Sequence, residues 1–412
     1  MTAVGIEVSV DESRYDRQER VSWWDQKILS EATVLVVGAG ALGNEVVKNL
    51  ALVGVGRILV IDRDVVEASN LARCVFFRAE DEGNPKAEVL ARRAAELNPD
   101  VRIAPIVGDV RSLGTGIAYR VDAIVGALDN REARLYCNRL AARSGRSWID
   151  GAIEALSGVA RVFNPPEVCY ECTLTEADWE ILAHRQSCRL LSREDLEAGK
   201  VPTTASTASI VAGLEAQEVV KLLHAGRQGV SLMRGAIVFD GANNDAYSLT
   251  YPVDPDCLAH HYYEAPTALR LDAAEFASVT VRELIARAIP GEFGARKDLV
   301  LDLGDDHVTH WRCPHCDRDD PCGRPAILIA SGDSLCPLCE TLRQPVFLSS
   351  LPLAGESGEH DLASLGVRPD EVLEVRSGAE SQFVWIEFLD PRVPTDWFAD
   401  AASSSGASGK GE

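Results

Sequence analysis

The sequence predicts an α/β fold: a Rossmann-like, doubly wound and mostly parallel sheet, followed by a small C-terminal module that contains a zinc ribbon. Three observations carry this expectation. Short β-branched runs alternate with helical patterns from residue 31 to about 160, a glycine loop joins the first run to the first helix, and two C-x-x-C pairs stand 19 residues apart near the C-terminus. Alternation of strand and helix at this pitch builds parallel βαβ units.

The elements follow in order. Residues 1–30 read as a helical lead-in with an amphipathic end at 23–29. TVLVV (33–37) is a buried strand by its β-branched content, 41–53 is a helix, and RILVID (57–62) is a second strand. A helix at 85–97, a strand at 101–107, a strand at 122–128, a helix at 130–144 and a strand at 148–153 continue the pattern. Residues 207–224 read as one long helix, with closing strands at 236–240 and 247–253. Composition shifts near residue 265, so 31–264 is expected to be one domain and 265–395 a zinc-binding module. The Ser/Gly-rich segment 396–412 is expected to be a disordered tail.

Charge and cysteine usage narrow the function classes. The chain has 412 residues with 41 Lys and Arg against 63 Asp and Glu, a net charge of −22. That balance disfavours nucleic acid and anionic membrane as partners. No run of 18 apolar residues exists to cross a bilayer, and the N-terminus lacks the apolar stretch of a secretory signal. Six of eleven cysteines fall in C-x-x-C pairs, which suits metal ligation in a reducing, cytoplasmic compartment.

The chemistry-bearing residues gather at strand ends. Gly38, Gly40 and Gly43 let the backbone turn tightly and approach a phosphate at a helix N-terminus. Asp62 ends the second strand, where a carboxylate takes ribose hydroxyls, and Asp64 follows it. On these residues alone an NAD-binding dehydrogenase is as good a reading. Asn70, Arg73, Lys86 and Asp129 tip the balance. Cations hold the phosphates of ATP and a carboxylate holds Mg²⁺, a set that hydride transfer does not need.

The segments RYDRQ (14–18), GAGALG (38–43), IDRD (61–64), SNLAR (69–73), NPKAE (84–88), ALDN (127–130), CYEC (169–172) and TASIVAGLEAQEVVKLL (207–223) together resemble the ThiF/MoeB/HesA family, whose superfamily includes the ubiquitin-activating enzymes. The resemblance implies a homodimeric α/β enzyme that adenylates a protein C-terminus. By position, Gly38, Gly40 and Gly43 would line the phosphates of ATP and Asp62 would hold its ribose. Asn70, Arg73 and Lys86 would stabilise the α-phosphate, Asp129 would bind Mg²⁺, and Arg14 would reach into the partner subunit's site. Cys74 stands where the family commonly has Gln, so its thiol is a secondary candidate for reactivity.

Cys313, Cys316, Cys336 and Cys339 have zinc-ribbon spacing, which four thiolates close into a structural Zn²⁺ site. His315 and Cys322 lie near enough in sequence to replace one ligand. Cys169 and Cys172 form a second half-site, and the resemblance implies Cys257 and His260 as its complement. Cys188 is left over, flanked by His184, Arg185 and Arg189, whose charge would favour a thiolate. The resemblance makes it the acceptor of the activated carboxyl.

Three functional readings follow. The first is activation of a ubiquitin-like protein with a C-terminal glycine, by adenylation and thioester transfer to Cys188, with hand-off to a conjugating enzyme. The second is a sulfur-carrier adenylyltransferase of molybdopterin or thiamine type. The third is an inactive, zinc-stabilised interaction scaffold, which the complete set of phosphate-binding residues disfavours.

Overall fold

The computed structural model describes residues 13–165, 167–187, 202–260, 262–263, 266–329 and 331–398. Two short helices, α1 (Asp16–Glu19) and α2 (Gln26–Glu31), make up the described part of the expected helical lead-in. The break between them has a tertiary cause. Trp23 and Trp24 turn onto the His224 ring at 5.4 and 5.8 Å, and His224 Nε2 accepts the Asp25 N–H at 2.9 Å. Asp25 then caps α2 by accepting the Lys27 N–H.

The first sheet runs through β1 (Thr33–Val37), β2 (Arg57–Asp62), β3 (Arg102–Val107), β4 (Ala123–Ala127), β5 (Trp148–Glu154), β6 (Ser157–Phe163), β7 (Gly235–Asp240) and β8 (Asp245–Leu249). Its spatial order is β3-β2-β1-β4-β5-β6-β7-β8. The first five strands are parallel, and the rest add antiparallel hairpins. Strand order reverses between β1 and β4, which places a crevice at their C-terminal ends. β6 was not expected from the sequence; it folds straight back on β5, with Gly158 meeting Ile153 across the turn.

Helices cover both faces. α3 (Ala41–Val53), α4 (Lys86–Leu97) and α8 (Ala205–Leu223) bury apolar stripes on one. On the other lie α5 (Ile117–Arg120) and α6 (Arg131–Ser144). α7 (Glu176–Ser187) precedes the segment 188–201, which lies outside the described residues. No helix among the described residues is long and apolar enough to cross a membrane.

The C-terminal part is larger than a bare zinc ribbon. β9 (Thr267–Arg270), β10 (Val300–Arg312), β11 (Asp319–Pro325), β12 (Gln344–Pro352), β13 (Val372–Ser377) and β14 (Glu380–Glu387) form a second sheet, ordered β11-β10-β13-β14-β9 with β12 also on β10. α9 (Ala273–Ser278) and α10 (Val281–Ala288) close its own core around Leu301, Leu373 and Ile386.

The chain end departs from the expected boundary. Thr395–Trp397 forms a 3-10 turn, and Trp397 with Val393 packs into the core of the first sheet. Arg57 donates to the Trp397 carbonyl at 3.0 Å and Arg102 lies over its ring. Residues 396–398 are thus folded, because a large aromatic side chain gains more from that apolar face than the turn loses in entropy. The rest of the expected tail, 399–412, lies outside the described residues.

Candidate functional site

The crevice is built where β1 hands over to α3. Gly38 has φ +102°, and a Cβ there would lie 2.3 Å from the Ala127 carbonyl oxygen at the end of β4. A Cβ on Gly43 would lie 1.9 Å from the Gly38 carbonyl oxygen. Both glycines are therefore required by close backbone approach. Gly40 differs: a Cβ there would meet nothing within 4 Å. Its α-carbon faces open space at the N-terminus of α3, where N–H donors and the helix dipole suit an anion.

Asp62, last in β2, accepts the Ala39 N–H with one oxygen and the Asp64 N–H with the other, both at 2.7 Å. Burial pushes its pKa up, against those two donors and nearby Lys86. The carboxylate thereby ties the glycine loop to the end of β2. Lys86 opens α4 and lies 3.2 Å from Asp64 Oδ2, its side chain mostly enclosed. Asn70 is buried, and its Oδ1 accepts the Glu67 N–H at 2.9 Å, which fixes the turn that presents Arg73. The Arg73 side chain makes no hydrogen bond or ion pair among the described residues, so its charge is available to a ligand.

Asp129 follows β4 across the crevice and is exposed. Its Oδ1 accepts only the Asn130 side-chain amide at 3.2 Å, while Asn130 Oδ1 caps α6 through the Ala133 N–H. An exposed carboxylate with open coordination on a fixed turn fits an oxygen-ligated cation such as Mg²⁺.

Three other candidates have different fates. Arg14 lies beside Leu97 and Asp100, with Nε 3.7 Å from Asp100 Oδ2. That is the end of α4 away from Lys86, so Arg14 sits at the far edge of the sheet from its own chain's glycine loop. Cys74 is 3% exposed, and burial pushes its thiol up to about 11 although Arg73 and Lys86 pull it down. Such a thiol is a packing residue, not a nucleophile. Cys188 lies outside the described residues.

Sequence reasoning missed a buried charged group behind the crevice. Arg134 of α6 donates Nε to Asp150 Oδ1 at 3.0 Å, and Arg161 lies 2.7 Å from the other Asp150 oxygen. Glu215 of α8 is fully buried beside them, and neither of its oxygens has a hydrogen-bond partner among the described residues. Burial, reinforced by Asp150, raises its pKa well above the usual carboxyl range. The available signals were an acid inside the apolar strand WIDGAI and another between Leu214 and Ala216 on a buried helix face.

Two metal centres assemble as donor sets. Cys313, Cys316, Cys336 and Cys339 bring their sulfurs within 4.8 Å of one another, at separations such as 3.6 Å for Cys313–Cys339 and 3.8 Å for Cys316–Cys336. Tetrahedral zinc with Zn–S about 2.3 Å needs S···S of about 3.8 Å. Asp317 and Glu340, each directly after the second cysteine of its pair, both take positive φ. Neither His315 nor Cys322 is in this group. Cys169, Cys172, Cys257 and His260 form the second set, with Cys172 Sγ 3.1 Å from His260 Nε2 and Cys169 Sγ 3.6 Å from Cys257 Sγ. Asn138 of α6 holds this knuckle by accepting the Tyr170 N–H. Both sets fit zinc.

Comparison with known proteins agrees with this geometry. Residues 15–259 match the ThiF family. The chain is 33% identical over 263 residues to the SAMP-activating enzyme E1 of Haloferax volcanii, covering 61% of this chain and 90% of that protein. It is 38% identical over 169 residues to the sulfur carrier protein adenylyltransferase of Thermus thermophilus, covering 39% of this chain and 62% of that one. Ubiquitin-like modifier-activating enzyme 5 of Oryza sativa is 26% identical over 362 residues, 82% of this chain and 80% of that protein. Among solved structures, Escherichia coli MccB with ATP superimposes with a TM-score of 0.50 at 25% identity, over 61% of this chain and 75% of that one. With its glycine loop, crevice cations and matched span of residues 15–259, the chain belongs to the ThiF family.

Proposed function

We propose that this chain binds ATP with Mg²⁺ and adenylates the C-terminal carboxylate of a ubiquitin-like or sulfur-carrier protein ending in glycine. The observation that carries the reading is the crevice between β1 and β4. Gly40 faces open space at the N-terminus of α3, and the strand ends of the same crevice carry the uncommitted charge of Arg73, the enclosed ammonium of Lys86 and the exposed carboxylate of Asp129. The glycine-loop N–H groups would hold phosphate oxygens and Asp62 would take the ribose. A carboxylate oxygen of the carrier attacks the α-phosphorus while the bond to the bridging oxygen of the β-phosphate breaks, releasing pyrophosphate. Arg73, Lys86 and Asn70 act where negative charge accumulates in that step. Asp129 would hold Mg²⁺, which would supply charge neutralisation at the phosphates.

The finer reading is that the adenylate passes to Cys188. Its thiolate attacks the acyl carbon, AMP leaves, and the thioester is handed to a conjugating enzyme. The resemblance to two E1-type activating enzymes supports this order. The resemblance to a sulfur carrier protein adenylyltransferase supports the second reading, in which the adenylate is consumed by a sulfur donor. The deciding experiment is ATP–pyrophosphate exchange with candidate carriers. Asp129→Ala should reduce exchange to background, since several kcal/mol of transition-state stabilisation depend on the metal. Cys188→Ala should keep exchange and lose any carrier adduct sensitive to reducing agent. Exchange at the wild-type rate in Asp129→Ala would sink the assignment. An adduct that survives Cys188→Ala would remove Cys188 as the acceptor, and no adduct in wild type with any carrier would favour the sulfur-carrier reading.

A further inference from the structure

We propose that Arg134 is the positioning residue for Asp129, holding the metal-facing turn by clamping the carbonyl of the residue before it. The inference rests on the adenylation reading and deepens it. Arg134 occupies the first turn of α6, where long side chains lean back toward the helix N-terminus and so reach the turn that precedes it. Its Nη2 donates to the Leu128 carbonyl at 2.5 Å and to the Gly151 carbonyl at 3.1 Å. Its Nε donates to Asp150 Oδ1, and Asp150 is fully buried between Arg134 and Arg161.

Asp129 is thus bracketed. On one side the Leu128 carbonyl is fixed by a buried guanidinium, and on the other Asn130 is fixed as the cap of α6. Among the described residues the Asp129 side chain accepts one hydrogen bond, the long contact from Asn130, and feels the charge of Arg134, so its placement leans on the two residues beside it. The Gly151 contact adds a tie from the turn after β4 to the neighbouring strand β5. The second oxygen of Asp150, engaged by Arg161 of β6, locks the guanidinium plane from behind. A lysine could keep the charge against Asp150, but one ammonium cannot make this planar fork to two carbonyls and a carboxylate. Groups that orient a metal ligand in this manner typically tune metal affinity about 10–100-fold.

The test is calorimetric ATP binding by the full chain at a series of Mg²⁺ concentrations and in EDTA. Arg134→Met should raise the half-saturating Mg²⁺ concentration about tenfold, in the same direction expected of Asp129→Asn, and leave ATP affinity in EDTA unchanged. The double variant should be no worse than Asp129→Asn alone, because both act through one carboxylate. Arg134→Lys, which keeps the buried charge and so protects folding, should fall between wild type and Arg134→Met. A merely structural role would weaken ATP binding equally with and without Mg²⁺ and add to the Asp129→Asn loss, and either result overturns the proposal. Wild-type protein that binds ATP no better with Mg²⁺ than in EDTA sinks the metal role of Asp129 and this inference together. A metal-dependent wild type beside Arg134 variants that keep the same half-saturating Mg²⁺ concentration sinks the inference alone.

Discussion

Glu215 shows how much a single buried residue can say. Its carboxyl is enclosed near Asp150, and burial pushes its pKa well above the usual carboxyl range although Arg134 and Arg161 pull it down. A carboxyl whose folded pKa is raised contributes stability below its unfolded pKa of about 4.3 and loses it as pH rises toward the folded value, at about 1.4 kcal/mol per pH unit. Glu215→Gln removes that loss. The variant's melting temperature should therefore gain on wild type as pH rises above the unfolded carboxyl value, measured by thermal denaturation at each pH. A constant margin would mean the two guanidiniums keep Glu215 ionised. Cys74 makes the complementary point. Position beside Arg73 suggested reactivity, but 3% exposure leaves the thiol without water or reagent.

At the scale of elements, the two cysteine clusters differ in what they hold together. The ribbon cysteines link the end of β10 to the approach of β12, at the margin of a sheet with its own apolar core. Cys169 and Cys172 instead pin the segment after β6 to the segment after β8, beside the α6 contact from Asn138. We expect about two zinc ions per chain in freshly purified, reduced protein by metal analysis. Cys336→Ser should remove one zinc with little effect on ATP binding. Cys169→Ser should remove the other and lower the melting temperature of the first domain. Metal-free protein would refute both sites.

Across the whole molecule, the two sheets are joined by buried charge as well as apolar contact. Arg368 bridges Asp305 and Glu371, Arg139 of α6 pairs with Asp305, and Arg120 pairs with Asp370 at 2.8 Å. The Thr115 hydroxyl donates to Glu371, and the Gly116 N–H donates to the Asp370 carbonyl. Burial opposes ionisation of Asp305, but Arg139 and Arg368 prevail and hold its carboxyl below the usual range. Removing Arg368 would take the paired cation from buried Glu371, while Asp305 would keep Arg139. Arg14 lies beside Leu97 and Asp100, at the end of α4 away from Lys86, and the family resemblance implies that it serves a partner subunit's site. If two copies share their sites, mixing Arg14→Ala with Asp129→Ala protein should restore about one quarter of wild-type exchange, because half the dimers hold one intact site of two. No recovery, with subunit exchange shown separately, would sink the shared site.

The sequence by itself determined the parallel half of the fold and the front of the crevice. Strands β1 and β2, helix α3, the glycine loop and the strand-end charges are local signals, because periodicity and turn chemistry are written within a few residues. Zinc-ribbon ligation was legible for the same reason, its donors lying in two tight pairs. Tertiary structure alone decided the rest. Cys257 and His260 are named as the complement of the Cys169 pair only through the resemblance, and that Trp397 returns to the first core and that Arg134 grips the turn before Asp129 depend on contacts between elements. The energy of such contacts comes from desolvation shared by residues distant in sequence, and that sharing exists only once the sheet has formed.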